Sequence, residues 1–190
     1  MDMQELFQDK MIIIGGLPRS GKSLLRNLIG SHSQITILPS GFSFFHYFSE
    51  KKFSERGCYQ DNLDFFFESY RKNKKYKITK ETMVGKGNNR RDLFINIIES
   101  YRRAHYPHKK YAGVYNHVVE EYFDTLIEWF GFEGLKFIQI VRNPYDNYAS
   151  CVVAKKVSLR ERQARNPHAF IHRFCNMWSQ SAVMGISRAL

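Results

Sequence analysis

Apolar residues fall along the chain in two kinds of run. Met11–Ile14, Gln34–Pro39, Lys110–Tyr115 and Leu135–Val141 are short stretches rich in β-branched or aromatic residues, bounded by polar or glycine-containing segments. They predict strands. Between and after them the apolar positions recur at helical spacing. Leu24, Leu25, Leu28 and Ile29 follow Lys22, and Leu63, Phe66, Phe67 and Tyr70 fall within 62–70. Leu93, Ile97 and Ile98 lie in 92–103, and Val118, Phe123, Leu126, Ile127 and Phe130 in 118–130. From 167 to 190, Phe170, Phe174, Met177, Trp178 and Ala182 share one side. Each set predicts an amphipathic helix with those residues inward. The aromatic run Phe42–Phe48 predicts a further helix start, read as core or as one wall of a pocket, and Lys51–Gly57 predicts a charged loop. Strands alternating with helices predict an α/β fold, a three-layer sandwich around a central parallel sheet.

Length and charge narrow the picture. The 190 residues suit a single domain, 1–190, with a sizeable core. A formal net charge of +11, spread along the chain, points to an anionic ligand or polymer. No nucleic-acid-binding signature accompanies it, so no nucleic acid is expected as partner. Cys58, Cys151 and Cys175 are odd in number and far apart, which suits reduced thiols and a cytoplasmic protein. The start MDMQELFQDK lacks the basic, then apolar, pattern of a secretion signal, and no run is long enough for membrane insertion. His168, His172 and Cys175 share a helix face, a spacing commoner in cores than in metal sites, and no metal is assigned. Two basic segments, 71–75 and Ser158–Arg165, read as solvated surface or, in turn, as an acceptor contact and a mobile lid.

The first strand stops in Gly15-Gly16-Leu17-Pro18-Arg19-Ser20-Gly21, and a helix opens at Lys22-Ser23. Such a junction is an anion cradle. The leading N–H groups of a helix have no partner within it, and the helix dipole adds to their pull. Gly16, Ser20, Gly21, Lys22 and Ser23 would hold a phosphate or sulfate, with Arg19 and Lys22 as cations. Val84–Arg91 is a second, weaker glycine-containing basic loop, because no apolar strand precedes it. Gly16-x-x-x-x-Gly21-Lys22-Ser23 also satisfies the P-loop pattern, which would imply a nucleoside triphosphate and magnesium at Ser23.

A second stretch separates these readings. After Val141 comes Arg142-Asn143-Pro144, with Ser150 eight residues beyond Arg142. Asn143 is a plausible N-cap and Pro144 a natural first helical residue. Leu17-Pro18-Arg19-Ser20-Gly21-x-Ser23 and this Arg–Asn–Pro…Ser stretch together resemble the two motifs of the sulfotransferase family, whose fold is P-loop NTPase-like. That resemblance spans roughly residues 11–190. It implies that Pro18 to Ser23 bind the 5′-phosphosulfate of 3′-phosphoadenosine 5′-phosphosulfate (PAPS), and that Arg142 and Ser150 bind its 3′-phosphate. It further implies that Arg19, with Lys22 sharing the work, neutralises the bridging oxygen, and that 42–110 is the variable acceptor side. His46 is the candidate base, against the alternative of a surface histidine.

The chain departs from the family at three places. Lys22 stands where Thr or Ser is usual. The region after the second strand, Pro39–Ser43, has no carboxylate. The family's further strand and basic loop are not evident before Leu190, which reads the chain as a truncated or minimal member. The expected activity is sulfuryl transfer from PAPS to a hydroxyl or amine, releasing 3′-phosphoadenosine 5′-phosphate (PAP), with no metal required. The acceptor class stays open among sugar, lipid, peptide and small molecule. A magnesium-dependent small-molecule kinase and a non-catalytic binder of anionic polymers are the alternatives; the kinase would want an Asp where Arg142 stands.

Overall fold

A computed structural model describes residues 11–70, 73–153 and 167–187. Both basic segments fall wholly or partly elsewhere: Ser158–Arg165 lies outside the described residues, as do positions 71 and 72.

Strand β1 (Met11–Gly16) is fully buried and lies inside a four-stranded sheet. Its neighbours are β3 (Tyr111–Tyr115) and β4 (Leu135–Ile140), and β2 (Ile35–Ile37) flanks β3, giving the order β2-β3-β1-β4. Every pairing is parallel, with Ile14 opposite Tyr115 on one side and Gly16 opposite Ile140 on the other. All four strands therefore end at one edge, where parallel α/β sheets place their ligands. The three-layer α/β fold expected from the pattern is the fold observed.

Strand periodicity builds the two outer layers. Ile12 and Ile14 face one side with Ile37, where Leu25 and Ile29 of α1 (Lys22–Gly30) cover them. Met11 and Ile13 face the other side. There they join a large aromatic core fed by α2 (Phe44–Tyr47), α4 (Tyr59–Glu68), α6 (Arg90–His105) and α7 (Phe123–Gly134). Phe42 stacks on Phe94 at 5.6 Å between centroids, and Phe44 on Phe48 at 4.9 Å. The Phe42–Phe48 run is thus core.

Four local expectations are corrected. Leu24 and Leu28 are exposed, because α1 turns the stripe Lys22–Leu25–Ile29 to the sheet and the two leucines lie about 100° away. Lys51–Gly57 is not a loop: Ser49 accepts the Lys52 N–H and caps α3 (Glu50–Arg56). The segment from Val118 opens as a 3-10 turn, Val119–Tyr122, before α7, and Val118 itself has a positive φ of 49°. His168, His172 and Cys175 are exposed rather than core. The short α5 (Asn73–Tyr76) precedes a second 3-10 turn, Lys80–Thr82. The basic loop at 84–91 is tied to α6: Asn96 pairs with both the N–H and the carbonyl of Gly85, and Asp92 accepts from Asn88 N–H.

After β4, α8 (Pro144–Val153) starts at the Asn143 cap, whose Oδ1 accepts from Tyr145 N–H at 2.9 Å. The last helix, α9 (Pro167–Ser187), lies against α8 and the turn after β3. Trp178 Nε1 donates to Arg142 O at 2.9 Å, and Gln139 Nε2 donates to Ser181 O at 2.6 Å, joining α9 to the end of β4. No helix among the described residues is long and apolar enough to cross a membrane.

Candidate active site

The turn after β1 is shaped by three positive-φ positions, Gly16 at 120°, Arg19 at 67° and Gly21 at 109°. Gly16 is required twice over. Its φ excludes ordinary side chains, and a Cβ there would overlap the Ile140 carbonyl of β4. Arg19 pays for a left-handed backbone without a glycine's freedom, a strain that concentrates at functional sites. Gly21 is the residue before α1, so the N–H groups of Gly21, Lys22 and Ser23 lead the helix without partners inside it. Ser23 is exposed at that end.

The second stretch meets the first directly. Arg142 Nη1 donates to Arg19 O at 3.2 Å, and Arg19 Nε donates to Ser150 Oγ at 3.1 Å. Asn147, buried on α8, donates to Pro18 O at 3.0 Å. Two stretches more than 120 residues apart thus form one basic surface at the carboxyl edge of the sheet, with Arg19 and Arg142 exposed and Ser150 partly so. Burial raises the Cys151 thiol above its usual range, and Arg19, Lys22 and Arg142 pull it back, in that order.

Lys22 is placed differently from its motif role. It is 3% exposed, and its Nζ donates to Gly16 O at 2.7 Å, to Leu17 O, and to Ser20 Oγ at 3.2 Å. The ammonium closes the turn from inside. Burial lowers its pKa to about 8, and the Glu120 carboxylate followed by Cys151 offsets part of that.

His46 is not brought to the turn. It lies exposed on α2, its ring edge-on to Tyr47 at 5.0 Å, and its carbonyl accepts from Lys52 Nζ.

Two residues at the edge were not singled out from the sequence. His117 follows β3, and its neighbours tie it to the glycine turn: Asn116 N–H donates to Ile14 O at 3.0 Å and Val118 N–H to Gly16 O at 3.3 Å. Its side chain is exposed, and the left-handed Val118 comes next. The strand-end rule, applied to β3 as it was to β1 and β4, would have found it. Glu120 is 1% exposed. Its Oε2 accepts from Gly16 N–H at 3.1 Å and its Oε1 accepts from the Ser181 hydroxyl, so it braces the turn from beneath and holds α9 to it. Nothing local in the sequence marks it, since its partners lie 104 and 61 residues away.

A parallel α/β sheet whose glycine turn, helix start and two arginines converge on one edge defines a protein of P-loop-like fold. The family model of the Sulfotransferase family matches residues 11–184, and the chain belongs to that family. No curated protein and no solved structure matches it.

Proposed function

We propose that this protein is a PAPS-dependent sulfotransferase that moves a sulfuryl group to an acceptor hydroxyl or amine and releases PAP. The observation that carries this reading is the direct contact of the two motifs, Arg142 with Arg19 and Arg19 with Ser150. Groups able to hold anions, side by side on the glycine turn and on the Arg142–Ser150 stretch, suit a ligand charged at both ends, as PAPS is. The donor supplies an activated sulfuryl group whose bond to the 5′-phosphate breaks during transfer.

The chain's own residues have separable tasks. The N–H groups of Gly21, Lys22 and Ser23, with the Ser23 hydroxyl, receive the 5′ end. The Arg142 guanidinium and Ser150 hydroxyl receive the 3′-phosphate, a planar fork being matched to a pair of phosphate oxygens. Arg19 lies between them and stabilises the charge that develops on the leaving group. Lys22, enclosed by the turn, keeps the loop in its anion-binding shape and adds a positive field from beneath. His117, beside the turn at the end of β3, is the better-placed base to receive the acceptor's proton; His46 sits on another element.

The kinase alternative needs a carboxylate near the metal. The end of β4 presents Arg142 there, and both oxygens of Glu120 are engaged by Gly16 and Ser181. Thermal unfolding tests the reading: PAP raises Tm in the absence of magnesium, and Arg142→Ala removes most of that rise. Stabilisation by ATP that depends on magnesium, with none by PAP, would overturn it.

A further inference from the structure

Resting on the sulfotransferase reading, we infer that the cavity between the glycine turn, α8 and α9, and not the 42–110 region that the resemblance implies, is the acceptor site, and that the acceptor is a small, mainly apolar alcohol or phenol carrying one acidic group. The cavity encloses about 210 Å³. Its floor is Leu17 and Pro18 of the turn, its sides Cys151 of α8 and Phe170, Phe174 and Met177 of α9. A molecule seated there lies against the residues that immediately precede Arg19, within reach of the loop that receives the sulfuryl donor.

The chemistry of the walls selects the occupant. Of the α8 polar atoms that border the cavity, Asn147 Nδ2 donates to Pro18 O at 3.0 Å and Cys151 Sγ approaches the same carbonyl at 3.8 Å, while Asn147 Oδ1 is buried without a hydrogen-bond partner among the described residues. The rest of the described lining is mainly apolar and aromatic surface, which disfavours a sugar, most of whose hydroxyls would lose their water without partners. Among the described residues that line the cavity Arg173 is the one charge, and α9 contains no Asp or Glu. Its cation suits an acid group on the ligand. The volume falls below the roughly 300–1,000 Å³ of pockets for drug-sized ligands, so a molecule of one or two rings, or one end of a larger one, is enclosed.

Methyl NMR on methionine-labelled protein, with the Met177 signal assigned from Met177→Leu, tests occupancy without any nucleotide. The probes are 4-hydroxyphenylacetate, neutral 4-ethylphenol and glucosamine. We expect 4-hydroxyphenylacetate to shift the Met177 signal both with and without PAP, and glucosamine not to. With PAPS present, 4-hydroxyphenylacetate is sulfated, with kcat/KM about fivefold above that of 4-ethylphenol, the size of a solvent-exposed ion pair. Arg173→Gln abolishes that preference. Phe174→Trp fills the cavity and abolishes both shift and turnover, while PAP still raises Tm; should this variant not fold, the surface change Arg173→Gln and the wild-type shift carry the test. An unmoved Met177 signal overturns the proposal. So does displacement of the probe by PAP, which would make the cavity the site of the donor's base, and so does glucosamine sulfation that survives Phe174→Trp. Failure of PAP to stabilise the protein would refute the sulfotransferase reading itself, and with it the acceptor role, whatever Met177 reports.

Discussion

Replacing Lys22 by Met isolates the buried ammonium at the heart of the turn. Lys22 titrates near 8 in the folded chain against an ordinary 10.5, chiefly because burial disfavours its charge. At about 1.4 kcal/mol per pH unit, that gap corresponds to roughly 3 kcal/mol. The sign follows from proton counting. Below about 8 both folded and unfolded chains hold the proton, and the folded state carries the whole penalty. Between about 8 and 10.5 the unfolded chain binds more protons than the folded one, so stability rises with pH. Above 10.5 both are neutral and the penalty is gone. Urea unfolding of wild type and Lys22→Met at a series of pH values measures the difference, in which groups common to both cancel. From pH 7.5 to 10.5 the difference should move in favour of wild type by about 2–3 kcal/mol. Anion binding should run the other way. A bound anion favours the ammonium, so PAP affinity should fall in wild type as pH rises through about 8, and stay flatter in Lys22→Met. Parallel stability curves across that window would refute a charged Nζ enclosed by Gly16, Leu17 and Ser20.

Further outcomes follow from the same geometry. Arg142→Ala should weaken PAP binding about 10- to 100-fold by titration calorimetry, the worth of hydrogen bonds to a charged group; unchanged affinity would break the 3′-phosphate assignment. Gly16→Ala should cost more than about 2 kcal/mol by denaturant unfolding, since both its φ and the Ile140 carbonyl oppose a side chain. Glu120→Ala should destabilise the fold by about 2–3 kcal/mol, leaving Gly16 N–H and Ser181 without their acceptor, and Glu120→Gln by less, with Lys22 losing its proton at lower pH. His117→Ala should lower kcat by about 10²-fold or more while PAP affinity holds, whereas His46→Ala should leave kcat unchanged; equal losses in the two variants would remove His117 as base.

Much of this architecture is written locally. The unbroken run Met11–Ile14, short and closed by glycines, reads as a buried strand, and a glycine turn opening into an amphipathic helix follows from residues within one short window. The same holds for the Asn143 cap, the Pro144 start and the spacing of Arg142 and Ser150. Local rules also mislead where a helix has more apolar residues than it has face to bury. Leu24 and Leu28 match the period as well as Leu25 and Ile29, yet the sheet accepts only one stripe. What required the tertiary structure was every relation between distant segments. Parallel pairing of β1 with β3 and β4 brings Asn116–Val118 and Arg142 to the same turn, so the site assembles from strand ends that no sequence window contains. Lys22 reads as a ligand contact by motif, but the turn's carbonyls converge on its inner side, and an ammonium satisfies three acceptors there at once. Glu120 looks like any surface carboxylate in a helix-forming stretch until β1 and α9 close over it. Hydrophobic period and turn chemistry are properties of neighbours in the chain; which polar groups must answer one another inside the fold depends on which strands lie side by side.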